Sequence, residues 1–294
     1  MPYEHGPDAK RMPEWLRRPV ARPGAYDAVT GLLGELRLNT VCRQARCPNQ
    51  GECFSSGTAT FLVLGDACTR GCRFCAVESR TPEAPDTGEP ARVAEAALRL
   101  GLRHVVVTMV TRDDLSDGGA GHVAATVAAL REAVPEASVE VLTSDFGGDD
   151  GALETVLASR PDVFNHNLET VPRLYAEVRP GADYGRSLGL LARAREIAPD
   201  VPAKSGLMLG LGETSDEVLE VMRDLRAAGV GLLTLGQYLR PGPANLPVAE
   251  FVRPEVFADL ERAGLGMGFD AVASAPYVRS SYHAGEMRER AARG

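Results

Sequence analysis

Six cysteines carry the most distinctive chemistry of this sequence, and all six fall between residues 42 and 75. Cys68, Cys72 and Cys75 form C-x3-C-x2-C, within CTRGCRFC. Three thiolates can hold three irons of a [4Fe–4S] cube, which leaves the fourth iron open to a substrate or cofactor. Gly71 is expected to let the backbone turn tightly here, and Phe74 to shield one side of the cluster. The competing metal is zinc. It takes four ligands, usually in paired cysteine or histidine-bearing spacings, and no fourth ligand is evident beside this triad. Cys42, Cys47 and Cys53 form a second triad, C-x4-C-x5-C, in a loop that Pro48 stiffens. Six cysteines divide into two sets of three with none spare, so each cluster must complete its coordination with something other than cysteine. Zinc stays open as an alternative at this second site, because an isolated triad can recruit a histidine. None of the five histidines (His5, His104, His122, His166, His283) is near it in sequence.

The elements that must position these thiols alternate from residue 61 onward. Strands are expected at Phe61–Gly65, His104–Met109, Val139–Thr143, Val163–Asn167, Ala203–Leu209 and Leu232–Tyr238. Helices are expected at Glu89–Leu100, Gly121–Ala133, Asp149–Ser159, Arg186–Ile197, Ser215–Ala228 and from Pro254 to about Ala263. Six β–α units predict an α/β fold with a parallel sheet and right-handed crossovers. Six units suit an open, partial (β/α)6 TIM-like barrel; a flat doubly wound sheet is the alternative that periodicity leaves open. Either way the ligand site belongs at the C-terminal ends of the strands, where the loop of Cys68 emerges. Residues 1–60, proline-rich with a short helical pattern at Ala25–Leu36, are expected to form an N-terminal extension carrying the first triad. Residues 61–265 are expected to form the barrel, and residues 266–294 a C-terminal segment with an apolar run at Ala271–Val278.

The formal net charge is −8, which argues against general binding to nucleic acid. Lys10, Arg11, Arg17, Arg18 and Arg22 form a local basic strip, either a solvated arm or a docking strip for an acidic partner. No apolar run approaches the roughly 20 residues that span a bilayer. The first ten residues are polar and unlike a signal peptide. The expected location is cytoplasmic, where clustered thiols stay reduced and bind metals rather than form disulfides.

The C-x3-C-x2-C motif opening a six-fold β/α series resembles the radical SAM superfamily. The upstream triad and Arg279-Ser280-Ser281-Tyr282 resemble one family within it, the lipoyl synthases. The resemblance runs through ARCPNQGEC, RDDLSDGGA, PDVFNHNLET, VRPGADYGRSL, KSGLMLGLGET, LGQYLRP and VRSSYHA. It implies that the cluster at Cys68, Cys72 and Cys75 binds S-adenosyl-L-methionine (SAM) and cleaves it by one electron. It also implies a second [4Fe–4S] cluster at Cys42, Cys47 and Cys53 that is consumed as the sulfur donor, with Ser281 as its fourth ligand. Without the resemblance, Ser280 and Ser281 read as a solvated strand end. The implied reaction inserts sulfur at C6 and C8 of an octanoyl chain on a lipoyl carrier domain. The implied partners are 2-oxoacid dehydrogenase E2 subunits, the glycine cleavage H protein, an electron donor such as ferredoxin or flavodoxin, and a cluster-repair protein.

Candidate SAM contacts follow from strand position: Asn167 and Glu169 at the end of the fourth strand, Arg179 and Lys204 as carboxylate or carbonyl partners, and Gly206 and Gly210 as points of close backbone approach. A simple strand-end turn is the alternative for the glycines. Solvation, or the capping of a loop, is the alternative for the charged residues and for Arg112-Asp113-Asp114. The chain departs from the usual family pattern at Arg43-Gln44, Met109-Val110-Thr111, Asn245 and Ala275-Pro276, which bears on partner docking and fine positioning. Two other functions fit parts of the sequence: a sulfurtransferase acting on a free small molecule such as dethiobiotin, and a non-catalytic iron–sulfur or zinc protein.

Overall fold

A computed structural model describes residues 12–16, 25–55, 60–281, 284, 285 and 287. The basic strip Lys10, Arg11, Arg17, Arg18 and Arg22 lies outside these residues, as do His5, Tyr282 and His283.

Six parallel strands form the centre: β1 Thr60–Val63, β2 His104–Met109, β3 Ser138–Leu142, β4 Val163–Asn165, β5 Ala203–Leu209 and β6 Leu232–Gln237. Each is followed by a helix: α1 Glu89–Arg99, α2 Ala120–Ala133, α3 Asp150–Ala158, α4 Tyr184–Ile197, α5 Ser215–Ala227 and α6 Pro254–Gly266. The strands lie side by side in sequence order. A doubly wound sheet must reverse its strand order at a switch point, so this order excludes the flat alternative. Winding in one direction puts every helix on the same face and curls the sheet into a partial barrel. Ala271–Ser274 adds a parallel strand beyond β6, and Asn39–Thr40 pairs antiparallel with β1. Among the described residues these two outer strands do not pair with each other, so the barrel stays open.

The strands are buried along almost their whole length, as expected for a sheet covered on both faces. Local signals set the helix starts. Thr214 and Glu217 form a reciprocal capping box at α5. Asp183 accepts a hydrogen bond from the Arg186 amide at 2.7 Å, which starts α4 two residues before the expected position.

β1 ends at Val63 rather than at Gly65, because Leu64 and Gly65 take φ of 70° and 98°. Glu89 and Arg112 hold this left-handed turn. The Leu64 amide donates to Glu89 at 2.8 Å, and Arg112, only 1% exposed, donates to the Leu64 carbonyl at 3.3 Å. β4 also ends two residues early, at Asn165; beyond it Glu169, at φ 67°, meets β5 again only as an isolated bridge to Leu207.

Described segments before β1 and after α6 both pack onto the barrel. The helix Ala25–Glu35 buries Leu33, and the short helix Gln50–Ser55 buries Phe54, whose ring lies 5.5 Å from that of Tyr26. At the other end, Met287 packs against Val163, Leu232 and Ala271, which begin their strands. No described helix is long and apolar enough to cross a membrane.

Replacing Glu89 by alanine leaves the Leu64 amide without its buried acceptor, and His122, 2.8 Å from the carboxylate, without its partner. Loss of about 2–3 kcal/mol in anaerobic denaturant unfolding is expected for E89A, with weaker retention of iron by the loop that the turn feeds.

Candidate active site and its cavity

A cavity of ≈ 330 Å³ lies at the C-terminal ends of the strands, and all six cysteines line it. The loop of Cys68, Cys72 and Cys75 is held at its base, where Ala67–Cys68 pairs with Glu78–Ser79. The Thr69 amide donates to Thr111 at 3.0 Å and the Arg73 amide to Val178 at 2.9 Å. Asn245 donates to the Cys75 carbonyl at 2.8 Å; the position at which the chain departs from the usual histidine thus pins the cysteine loop. Arg70, inside the loop, ion-pairs with Asp113 at 2.8 Å and with buried Asp145 at 2.7 Å. Gly71 has no positive φ, and an added Cβ would meet only Ser79 Oγ at 3.6 Å. The expected need for glycine at that turn is therefore not what the backbone imposes.

The second triad comes from the N-terminal segment. Cys42 sits in the short helix Val41–Gln44, which Thr40 caps, and the Cys47 amide donates to the Cys42 carbonyl at 3.0 Å. Two bonds tie this loop to the far end of the chain: Asn49 donates to the Tyr277 carbonyl at 2.8 Å, and Arg46 to the Pro241 carbonyl at 3.3 Å. Ser280 and Ser281 line the same cavity.

Burial sets the state of the thiols. It pushes Cys42 up to about 11 and Cys75 up to about 12, and it raises Cys72 despite nearby Arg179. Without a cation, these thiols keep their protons; iron supplies the charge that thiolates need there. Backbone amides of Arg70 and Val77 already point at the sulfurs of Cys68 and Cys75, each at 3.4 Å. Five further polar atoms on the wall have no hydrogen-bond partner among the described residues: Asn49 Oδ1, Thr143 Oγ1, His166 Nε2, Asn167 Oδ1 and Arg179 Nε. Buried polar atoms normally have partners. Two sets of three thiols beside such atoms fit clusters and a polar cofactor.

Of the residues expected from sequence, Phe74, Asn167, Glu169, Arg179 and Gly206 are on this wall, whereas Lys204 and Gly210 are not. Asn167 donates to Glu169 at 3.1 Å and to the Ser280 hydroxyl at 2.6 Å. Burial raises the Glu169 carboxyl, opposed by Arg179, the Asn167 hydrogen bond and Arg279. Arg179 uses one nitrogen on the carbonyls of Asn167 and Leu168 and on the Tyr175 hydroxyl. A Cβ at Gly206 would meet Thr234 Oγ1 at 2.5 Å and Asn167 Oδ1 at 3.0 Å, so close packing requires the glycine. Gly210, at φ 99°, makes the turn after β5, and Gln237 and the Glu250 carbonyl fill the space beside it. Lys204 is 1% exposed, and its ammonium is engaged by Glu140 and by the Ser280 carbonyl. It is thus not placed to meet a SAM carboxylate. Arg112 pairs with Asp114 and Asp113 with Arg70, which accounts for that charged run within the fold.

Sequence reasoning passed over His166. Its Nδ1 donates to the Thr143 carbonyl at 2.9 Å, and its Nε2 is one of the unpartnered atoms. Position beside Asn167, past the end of β4, was the available signal. The Arg70–Asp145–Arg186 bridge was also missed, since its members are far apart in sequence.

A partial barrel with a three-cysteine loop after its first strand defines a radical SAM enzyme, and residues 62–225 match the Radical SAM superfamily. Methylornithine synthase (PylB) has the same fold, with a TM-score of 0.56 at 14% identity over 88% of each chain. The lipoyl synthase of Trichlorobacter lovleyi is 59% identical, covering 94% of this chain and 98% of its own. That of Rubrobacter xylanophilus is 52% identical over 100% of this chain and 92% of its own. The chain belongs to the lipoyl synthase family. Membership in the superfamily carries with it one [4Fe–4S] cluster and SAM.

Burial lowers His166 from an ordinary value of 6.5 to about 4. The folded state therefore disfavours the proton that the unfolded chain binds below pH 6.5. Its contribution to stability is complete above that pH and lost as pH falls towards 4, by up to ~3 kcal/mol. Anaerobic denaturant unfolding across this range is expected to show a smaller acid loss in H166Q than in the parent protein.

Proposed function

We propose that the chain inserts two sulfur atoms, at C6 and C8, into an octanoyl chain borne by a lipoyl carrier domain. In this reading Cys68, Cys72 and Cys75 hold the cluster that binds SAM. Cys42, Cys47, Cys53 and Ser281 hold a second [4Fe–4S] cluster, which gives up its sulfide. When bound, the first cluster supplies the one-electron chemistry that cleaves SAM and removes hydrogen from unactivated C–H bonds. The observation that carries the reading is the single cavity lined by both triads and Ser281.

The rest of the wall suits this division. Leu62, Met109, Leu142, Leu207 and Leu239 offer apolar contact to an alkyl chain. Asn167, Glu169 and Arg179 hold one another beside Cys72, on the side assigned to SAM. The Ser280 hydroxyl accepts from Asn167, which supports Ser281, rather than Ser280, as the ligand. An oxygen ligand binds iron less durably than thiolate does, and this favours loss of that iron when the cube opens. The same reading takes residues 1–60, 61–265 and 266–294 as extension, barrel and C-terminal segment, and the cytoplasm as the compartment. Its partners are E2 subunits of 2-oxoacid dehydrogenases, the glycine cleavage H protein, a ferredoxin or flavodoxin, and a cluster-repair protein.

Anaerobic reaction with SAM, reductant and an octanoyl-lysyl peptide is expected to add two sulfurs to the peptide by mass spectrometry. Dethiobiotin in the same mixture should gain none. Sulfur on dethiobiotin and none on the peptide would defeat the assignment. The reconstituted protein should hold about eight irons and eight sulfides. S281A should still form 5′-deoxyadenosine while losing sulfur insertion by at least about a hundredfold; full insertion by that variant would remove Ser281 from the ligand set.

A further inference from the structure

We propose that the buried Lys204–Glu140 pair is a positioning device that latches the Arg279–Ser281 segment into the barrel and so sets the place of Ser281. The proposal rests on the reading of Ser281 as a cluster ligand.

Lys204 is the second residue of β5 and Glu140 the middle residue of β3, on either side of β4, and both are almost wholly buried. The Lys204 ammonium donates to both Glu140 carboxylate oxygens, at 2.9 and 3.0 Å, and to the Ser280 carbonyl at 2.6 Å. Those three acceptors match its three N–H groups. Glu140 also accepts from Asn165 Nδ2 at 2.9 Å, and His104 Nε2 lies 3.7 Å away. The lysine is thus oriented from below by fixed partners, and its remaining donor aims at a chain segment 76 residues further on. Asn167 grips the same residue by its hydroxyl at 2.6 Å. Ser280 is therefore clamped at both its carbonyl and its side chain, and the next residue is Ser281.

Stability alone does not account for the pair. A buried ion pair gains little over well-packed apolar side chains, because desolvation offsets the attraction. Its distinguishing property is direction: a charge-assisted hydrogen bond to one carbonyl fixes the register of a segment with no strand or helix of its own. The sheet cannot supply that register, because the tail follows the last strand, Ala271–Ser274.

The test uses the reconstituted holoenzyme. K204M alone would strand a buried carboxylate, so the informative variant is the double substitution E140Q/K204M, which removes both charges and keeps their volume. E140Q alone would strand the buried ammonium in the same way, so the conservative control is E140D, which keeps both charges and leaves Lys204 its donor to Ser280. Hydrogen–deuterium exchange in residues 278–281 is expected to be at least about tenfold faster in the double variant, with the barrel strands unchanged. Iron should fall from about eight towards about four per chain, and 5′-deoxyadenosine formation should persist. E140D should stay near the parent protein in all three. Parental exchange and iron content in the double variant would overturn the latch, as would a loss in E140D equal to that in the double variant. A parent protein holding only about four irons would instead overturn the two-cluster reading on which the latch rests.

Discussion

A parallel sheet wound always in the same direction curls, and six strands are too few for it to close. That constraint organises the rest of the molecule. The open side and the two sheet edges carry unpaired backbone groups and apolar side chains, which must be covered. Asn39–Thr40 covers one edge and Ala271–Ser274 the other. The two segments come from opposite ends of the chain, and each carries chemistry next to its cover: Cys42 follows the first by two residues, and Ser281 follows the second by seven. Covering the gap in the barrel therefore assembles the second triad beside Ser280 and Ser281, over the strand ends where the first triad already sits. The Asn49–Tyr277 bond records that convergence.

The electrostatics of the cavity depend on its contents. Charges around the cysteine loop are neutralised in the fold, as in Arg70 with Asp113 and Asp145, and Arg186 with Asp145. At Cys75 and Cys42 burial outweighs the surrounding hydrogen bonds, and these two thiols hold their protons well above neutral pH. A site built this way has a weak field of its own and a strong demand for metal. Binding of iron releases protons there, and cluster loading is coupled to pH more tightly than it would be for exposed cysteines. The unpaired atoms make the same point for neutral groups: Thr143, His166 and Asn167, all residues of the cavity wall, each keep one hydrogen-bonding atom without a partner among the described residues.

The strands and helices were legible from sequence because long apolar runs and helical spacing are local signals, and the cysteines because their type is rare and their spacing tight. Where local signals failed, the cause was distance along the chain. Leu64 and Gly65 continue the apolar run of β1, yet the Glu89 and Arg112 bonds bend them out of it. Asn39–Thr40 has two polar residues and becomes a strand only because β1 offers an edge. Lys204 was misplaced for the same reason: its partners are 64 and 76 residues away, and a lysine in a strand carries no mark of an ion pair. Strand position did contain a warning. Lys204 is the second residue of β5, at the end opposite to the one where open α/β sheets bind ligands.

Asn167 joins what the sequence presents as separate motifs. Its carbonyl receives Arg179, and its amide nitrogen is divided between Glu169 and Ser280. Its amide oxygen lies where a side chain at position 206 would have to pass. The residue is thus a shared boundary between the wall beside Cys72 and the segment that ends in Ser281. Packed interiors do not deform continuously, so a shift of Asn167 towards a ligand on one side must be answered by Ser280 on the other. The wall beside Cys72 and the segment of Ser280 are in this way held to one geometry, by an uncharged side chain whose two hydrogen bonds leave it little freedom to follow either alone.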